Sequence, residues 1–185
     1  MMRKNKAFDS SSYVFHAGEQ ILVDANVWLY LLPPATQPPP QYAEQYSEAM
    51  KKLIEAGARP IVELLVLSEY INRSLRLEYE AAWKHTYLSF KNFRRSKDFA
   101  AVAKPVIEDV KRILAMAEVE PTVLTKADLP WILAETERGT LDFNDGAIVE
   151  TCRLRGMKLL TNDGDMKLGG IEVLTSNPRL LAACP

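Results

Sequence analysis

The sequence predicts one α/β domain in three layers, with a mainly parallel central sheet between helices. Short apolar runs alternate along the chain with longer segments of helical composition, which is typical of a parallel sheet covered on both faces. A chain of 185 residues, 48% hydrophobic and 25% charged, has the composition of a globular domain with its own core. We therefore expect residues 1–185 to form a single domain.

Four short apolar runs are predicted to be strands, and the second is divided from the helix after it because Leu67, Tyr70, Ile71 and Ser74 recur at helical spacing. They cover residues 21–24, 60–63, 157–161 and 171–174. The first run ends in Asp24, and the third leads directly into Asn162 and Asp163. Polar residues thus follow two of the predicted strands.

Five segments between these strands are predicted to be helices from their composition and from apolar residues at helical spacing. They cover residues 26–32, 41–56, 66–77, 127–138 and 142–155. The pair Pro33-Pro34 ends the first helix, and Gly57, Gly139 and Gly156 end the second, fourth and fifth. Glu69 is expected in the first turn of the third helix.

Three further segments lie outside this alternation. Residues 1–19 form an N-terminal extension without the apolar stretch of a signal peptide, and residues 33–40 form a proline-rich connector expected to be extended. Residues from about 78 to 119 form a helical insertion, in which Pro105 is expected to open a helix. The insertion carries aromatic residues at helical spacing: Trp83, Tyr87, Phe90 and, beyond them, Phe93. Such a stripe more often fills a core than contacts a ligand.

The overall charge and the cysteines exclude several classes of protein. The formal net charge is −1, so any nucleic-acid binding must come from a local patch of cations. Cys152 and Cys184 stand far apart without a CxxC pair, which argues against a disulfide framework or a zinc site and fits a reducing compartment. No apolar run approaches membrane-spanning length. We therefore expect a cytoplasmic protein that is not in a membrane.

Four carboxylates are expected at one edge of the sheet. Asp24 and Asp163 follow strands, so both should lie at the carboxyl edge, where open α/β sheets hold their ligands. Glu69 and Asp145 lie near the starts of helices that begin over the same edge. Four close carboxylates repel one another unless a divalent cation neutralises them. Oxygen ligands without His or Cys favour Mg²⁺ or Mn²⁺.

Some of these acids also have simpler interpretations. Asp142 fits a helix N-cap, with Asp145 three residues later, and we prefer this role for it. Asp165 fits a turn, and Glu69 alone fits a solvated helix position. An EF-hand loop starting at Asp163 is excluded because the required Gly and Glu positions hold Leu168 and Leu174.

Four short motifs, in this order, resemble those of PIN-domain nucleases. They are Val23-Asp24-Ala25-Asn26, Leu67-Ser68-Glu69-Tyr70, the run from Asp142 through Asp145 to Val149, and the run from Leu159 through Asp163 to Asp165. The resemblance covers residues 21–174. It implies a PIN-like fold and endonucleolytic hydrolysis of RNA that depends on Mg²⁺ or Mn²⁺. It also assigns roles: Asp24, Glu69, Asp145 and Asp163 as catalytic metal ligands, Asp165 as an auxiliary acid of the metal site, and Asn26 and Thr161 as supporting polar groups. We add Asp142, the predicted helix cap, as a further supporting residue.

The PIN family includes VapC-type toxins as well as RNA-processing nucleases. The resemblance therefore implies RNA as the substrate and an antitoxin protein as a candidate partner. The connector at 33–40 and the long helical stretch depart from the compact toxins, and this departure weakens the toxin role more than the nuclease chemistry. We expect both segments to lie outside the catalytic sheet, where they form a homodimer contact or a wall of the RNA groove.

Cations beside the acidic pocket would have to bind the RNA phosphates, because the pocket itself repels them. Arg73 and Arg76 lie one and two turns beyond Glu69. A second group falls between residues 84 and 104 with a single intervening acid, Asp98: Lys84, Lys91, Arg94, Arg95, Lys97 and Lys104. Of these, Lys91, Arg94 and Arg95 join Arg73 and Arg76 as our candidates. A solvated helix face remains the alternative for all of them.

Two other functions compete with a nuclease. A haloacid-dehalogenase-like phosphotransferase also begins with Asp after a strand, but it needs a second Asp where this chain has Asn26. A PIN fold that serves only as an RNA-binding or protein-interaction scaffold would be favoured by a missing acid, and all four are present.

Overall fold

Six parallel strands form the central sheet of the computed structural model, which describes residues 3–38 and 40–185. The strands are β1 (Lys6–Asp9), β2 (Gln20–Val23), β3 (Arg59–Glu63), β4 (Glu118–Glu120), β5 (Lys158–Leu160) and β6 (Glu172–Thr175). They lie in the order β1-β6-β5-β2-β3-β4, and each neighbouring pair is parallel. The expected α/β class is therefore confirmed.

Helices flank this sheet. They are α1 (Ala25–Leu31), α2 (Ala43–Glu55), α3 (Leu64–Glu78), α4 (Phe90–Arg94), α5 (Phe99–Met116), α6 (Leu129–Glu137), α7 (Phe143–Arg155) and α8 (Pro178–Ala183), with a π-helical turn at Tyr79–Trp83. The chain steps from β2 to β3 to β4 in one direction and then returns to β5 on the other side of β2. Because parallel crossovers are right-handed, α1 to α5 cover one face of the sheet and α6 and α7 cover the other.

The strand order reverses between β2 and β5, which pair in the middle of the sheet. Val23 of β2 is in register with Leu160 of β5, and the Asp24 backbone N–H donates to the Leu160 carbonyl at 3.0 Å. The connections leave these two strands in opposite directions, so a crevice opens at their carboxyl ends. Asp24 and Thr161 are the first residues beyond the strands on either side of it.

Burial on both faces explains why the central strands are apolar. Ile21, Leu22 and Val23 of β2 are fully buried, as are Leu159 and Leu160 of β5. A parallel sheet covered by helices on both sides excludes water from every side chain of its inner strands. The two strands that position the crevice are therefore fixed by packing on both faces.

The first half of the chain corrects two predictions. The helix α3 begins at Leu64 directly after β3, so Glu69 lies in its second turn and not in its first. The connector is not extended throughout, because the Gln37 N–H donates to the Pro34 carbonyl at 2.9 Å and closes a turn. The Glu78 carboxylate accepts from the Thr36 N–H at 3.1 Å, which ties this turn to the end of α3. Pro39, also in the connector, lies outside the described residues, as do Met1 and Met2.

Two predictions for the helical insertion at about 78–119 were also wrong. Pro105 does not open a helix but is the seventh residue of α5, which continues past it with one backbone hydrogen bond fewer. The aromatic residues expected to form one helical stripe lie on a π-helical turn, a loop and α4. Their rings nevertheless meet around Phe93, which is fully buried, so the prediction that they fill a core is confirmed.

Three elements were not predicted from the sequence. They are the edge strands β1 and β4 and the last helix, α8. β1 lies inside the expected N-terminal extension and pairs with β6 in the register Lys6 to Glu172.

Within the described chain, no helix has the length and apolar character needed to cross a membrane. Both cysteines are free and buried.

We expect Gly169→Ala to destabilise the protein by about 2–3 kcal/mol. Gly169 has φ of 137°, and an added Cβ would lie 2.1 Å from Cγ1 of Val149 on α7. Gly139→Ala is the control, because Gly139 also has a positive φ but open space around its Cα, so only backbone strain of about 1 kcal/mol applies. Urea unfolding measures both variants, and equal losses would contradict the close approach to α7.

Candidate active site

Asp24 is held at the crevice by hydrogen bonds to both carboxylate oxygens. It caps α1, where its Oδ1 accepts from the Ala25 N–H at 2.6 Å. Its Oδ2 accepts from Thr161 Oγ1 at 2.6 Å and from Asn26 Nδ2 at 2.5 Å. The side chain is buried. The two residues expected to support the site, Asn26 and Thr161, therefore contact Asp24 directly.

Nearby carboxylates perturb Asp24. Burial raises the pKa of the Asp24 carboxyl to about 6, the hydrogen bond from Thr161 opposes this shift, and the charges of Glu69 and Asp163 add to it. The charges of Glu69 and Asp163 therefore act on the Asp24 carboxyl, although burial is the larger cause of its raised pKa.

Asp145 is the most strongly perturbed acid of the group. Burial raises the pKa of its carboxyl to about 8, followed by the charges of Asp142, Asp163, Asp24 and Glu69. Among the described residues its carboxylate has no hydrogen bond or ion pair. The charges of the other three predicted acids thus all act on the Asp145 carboxyl. Its own charge has no hydrogen-bond donor or cation to stabilise it among the described residues.

The other two acids have local partners. The Glu69 carboxylate pairs with Arg73 at 3.1 Å, one turn further along α3. Asp163 Oδ1 accepts from the Asp165 N–H at 2.8 Å, and the Asp163 N–H donates to Thr161 Oγ1 at 3.0 Å. These contacts orient Asp163 from the same Thr161 hydroxyl that binds Asp24.

Asp142 and Asp165 lie at the margin. Asp142 Oδ1 accepts from the Asp145 N–H at 2.8 Å and caps α7, so the preferred helix-cap role is confirmed. The side chain of Asp165 is 77% exposed and lies 3.5 Å from the Lys167 ammonium.

The donor set suits a hard divalent cation. The group offers carboxylate oxygens without His or Cys, and Arg73 is the cation paired with it, so its negative charge is poorly balanced. Across residues 3–38 and 40–185, no three His, Cys, Asp or Glu side chains stand close enough together to hold an ion without moving. Ligation would therefore require the acids to rotate, and two of them, Glu69 and Asp145, are half-buried on helices.

A network behind the acids was missed by sequence reasoning. The Tyr46 hydroxyl, buried on α2, lies 3.0 Å from the Thr161 carbonyl and 2.9 Å from Asn162 Oδ1, and it accepts from the Ser176 N–H. Asn162 Nδ2 in turn donates to the Tyr30 hydroxyl, and the backbone N–H of Asn162 donates to Asn26 Oδ1 at 2.9 Å. Asn162 belongs to a motif noted in the sequence, whereas no local signal marks Tyr46.

The fold and this site define a parallel α/β protein with an acidic centre at the strand switch point. A family model described as the PIN domain matches residues 21–172. The chain belongs to the PIN-domain family. A search among curated proteins finds no match.

Two solved structures illustrate the likeness. The VapBC2 structure from Rickettsia felis, bound to a DNA fragment from its promoter, gives a TM-score of 0.56 at 12% identity over 84% of this chain and 98% of the other. VapC20 from Mycobacterium tuberculosis, a toxin that cleaves the sarcin–ricin loop, gives a TM-score of 0.49 at 15% identity. The match covers 79% of this chain and 92% of VapC20. At these identities the likeness concerns the fold alone.

Without divalent metal, we expect stability to fall as pH rises from about 5 to about 8. Folded Asp145 and Asp24 keep their protons up to about pH 8 and about pH 6, whereas the unfolded chain releases them near pH 4. This proton-linked stability is lost as pH rises through the folded pKa values. Asp145→Asn removes the highest of these titrations, so its Tm in EDTA should exceed the wild-type value by a few degrees at about pH 8. At about pH 5 the two Tm values should converge, and a constant offset across this range would count against the shift.

We expect Tyr46→Phe to destabilise the fold by about 2 kcal/mol, because it leaves buried polar partners unsatisfied. Tyr70→Phe is a matched control, since the buried Tyr70 hydroxyl makes one hydrogen bond, to the Leu32 carbonyl at 2.9 Å. That loss should be about 1 kcal/mol in urea unfolding. A Tyr46→Phe variant no less stable than the control would show that the network does not hold the segment from Thr161 to Asp163.

Proposed function

We propose that this protein is an endoribonuclease that uses Mg²⁺ or Mn²⁺ to hydrolyse phosphodiester bonds in RNA. The observation that carries the proposal is the mutual effect of Asp24, Glu69, Asp145 and Asp163 at the switch-point crevice, where burial and like charge raise the pKa of two of them. Such a group is unfavourable by itself and favourable around a divalent cation. Membership of the PIN family supports the same chemistry.

A bound divalent cation would lower the pKa of a water molecule and neutralise charge on the phosphate. The protein's own residues would hold that ion and orient the substrate. Asp24 is the fixed ligand, because its carboxylate is set by Ala25, Asn26 and Thr161. Asp145 and Glu69 are the adjustable ligands, since one has no partner among the described residues and the other has only Arg73.

Arg73 is proposed to bind phosphate beside the acids. Its guanidinium pairs with Glu69 through one nitrogen and is more than half exposed, which leaves other N–H donors available. If Glu69 turns towards a metal ion, Arg73 loses this partner and is free to bind the RNA backbone. Arg76 follows on the same face of α3, at i+3 from Arg73.

The toxin role is a further part of the proposal. The PIN resemblance and the fold shared with a VapBC complex support an antitoxin protein as a partner. An antitoxin would be expected to suppress cleavage when the two proteins are mixed. A homodimer and a cytoplasmic location remain proposals of the same kind.

The central test compares Asp24→Asn and Asp145→Asn with wild type in cleavage of a mixed single-stranded RNA pool with Mn²⁺. Each variant keeps the side-chain shape and removes one charge. Both should lose activity by more than the roughly 10–100-fold that is expected for a residue that only orients a metal ligand. Asp142→Asn is the matched control, because Asn caps helices as well as Asp does. It should retain activity within a few-fold.

Addition of EDTA should abolish wild-type cleavage, and circular dichroism should show that each variant is folded. Cleavage that survives EDTA, or that is unchanged in Asp24→Asn, would show that this site is not its source. A folded wild-type protein that binds RNA and never cleaves it would favour the scaffold alternative.

A further inference from the structure

The helix α4 is a short, rigid element held in place by aromatic residues. It has five residues, too few to be stable alone, and its N-cap Ser89 accepts from the Asn92 N–H at 3.2 Å. Phe93 on its inner side is fully buried, with ring centroids of Trp83 at 5.4 Å and Phe99 at 5.5 Å. The outer side of α4 is thereby fixed towards solvent.

The outer side of α4 and the residues directly after it carry an unbalanced group of cations, Lys91, Arg94, Arg95 and Lys97, which we call the α4 patch. All four are exposed, and none has an ion pair or side-chain hydrogen bond within the described chain. The neighbouring acid, Asp98, accepts from the Tyr87 hydroxyl. By contrast, Lys84 pairs with Glu80 at 2.7 Å. Four like charges within seven residues repel one another, and a polyanion relieves that repulsion.

A line of cations joins the α4 patch to the acidic group. Glu69, Arg73 and Arg76 lie at i, i+4 and i+7 on one face of α3. The Arg76 guanidinium lies 4.9 Å from the ring centroid of Phe90, the first residue of α4. At 1.5 Å per residue, Arg76 is about 10 Å along the helix from Glu69. A polyanion leaving the acidic group along α3 would therefore meet α4.

We propose that the α4 patch is an exosite for the RNA backbone, so that the preferred substrate is RNA extending well beyond the cleaved bond. This inference rests on the proposed nuclease function for its purpose, although not for the binding itself. The phosphates along one side of the substrate bind Lys91, Arg94, Arg95 and Lys97, and Arg76 lies between them and the acids. An RNA of about four nucleotides centred on the acids extends only about 7 Å to either side at a rise of about 3.4 Å per nucleotide, which is short of the distance of about 10 Å to Arg76.

The test uses Lys91→Ala combined with Arg94→Ala and Arg95→Ala in the full-length protein. The matched control combines Arg3→Ala, Lys51→Ala and Lys126→Ala, three exposed cations on other elements, and has the same net charge. Binding of a labelled RNA of about 30 nucleotides is measured in EDTA, where no cleavage interferes. The α4 variant should bind on the order of 10-fold or more weakly, with a salt slope lower by about 2, because each lost phosphate contact removes about 0.7.

Arg94→Lys with Arg95→Lys keeps the charges and should retain most of the affinity. With Mn²⁺, the α4 variant should lose cleavage of the long RNA and keep cleavage of one about four nucleotides long. Equal RNA affinity of the α4 variant and the control would overturn the exosite. So would binding to vesicles of about one-third phosphatidylserine without binding to RNA, since that result assigns the patch to a membrane surface. If the wild-type protein binds RNA in EDTA through the α4 patch but does not cleave RNA with Mn²⁺, the proposed catalysis is rejected and the exosite is retained.

Discussion

Repulsion among four carboxyl groups at the centre of the sheet is the constraint on which the rest of the site depends. Asp24 and Asp145 are partly desolvated, and Glu69 and Asp163 lie near enough to oppose their ionisation. Such a group stays together only if at least some of its members are held in place. The switch point supplies that support, because β2 and β5 are buried on both faces and keep their carboxyl ends side by side.

The surroundings of the acids divide into a fixed side and an adjustable side. On the fixed side, Thr161 binds both Asp24 and the Asp163 backbone, and Tyr46 holds the segment behind them. On the adjustable side, Glu69 and Asp145 project from helices, and Arg73 is the one partner of their carboxylates among residues 3–38 and 40–185. A site with one anchored half and one movable half suits an ion that enters and leaves, because the anchored half keeps its geometry without the ion.

The insertion after α3 has its own core and its own charge. Phe93 is enclosed by aromatic rings, while the cations of α4 face solvent. The same segment therefore uses its apolar residues for packing and leaves its charged residues for a partner. Glu78 extends this organisation by fastening the connector turn to the end of α3. The two segments that depart from a compact PIN domain are thus both attached to the helix that carries Glu69.

The sequence by itself determined the α/β class, the helix stops at Gly57, Gly139 and Gly156, and the order of the acidic motifs. These features are local, because apolar periodicity and left-handed glycines report on a few neighbouring residues. Tertiary structure alone decided the pairing of β1 with β6 and the contact of Tyr46 with Thr161. Each of these depends on residues distant in sequence: β1 and β4 are short edge strands with little apolar pattern, and the Tyr46 hydroxyl meets a carbonyl more than a hundred positions away. Local sequence contains no record of such partners.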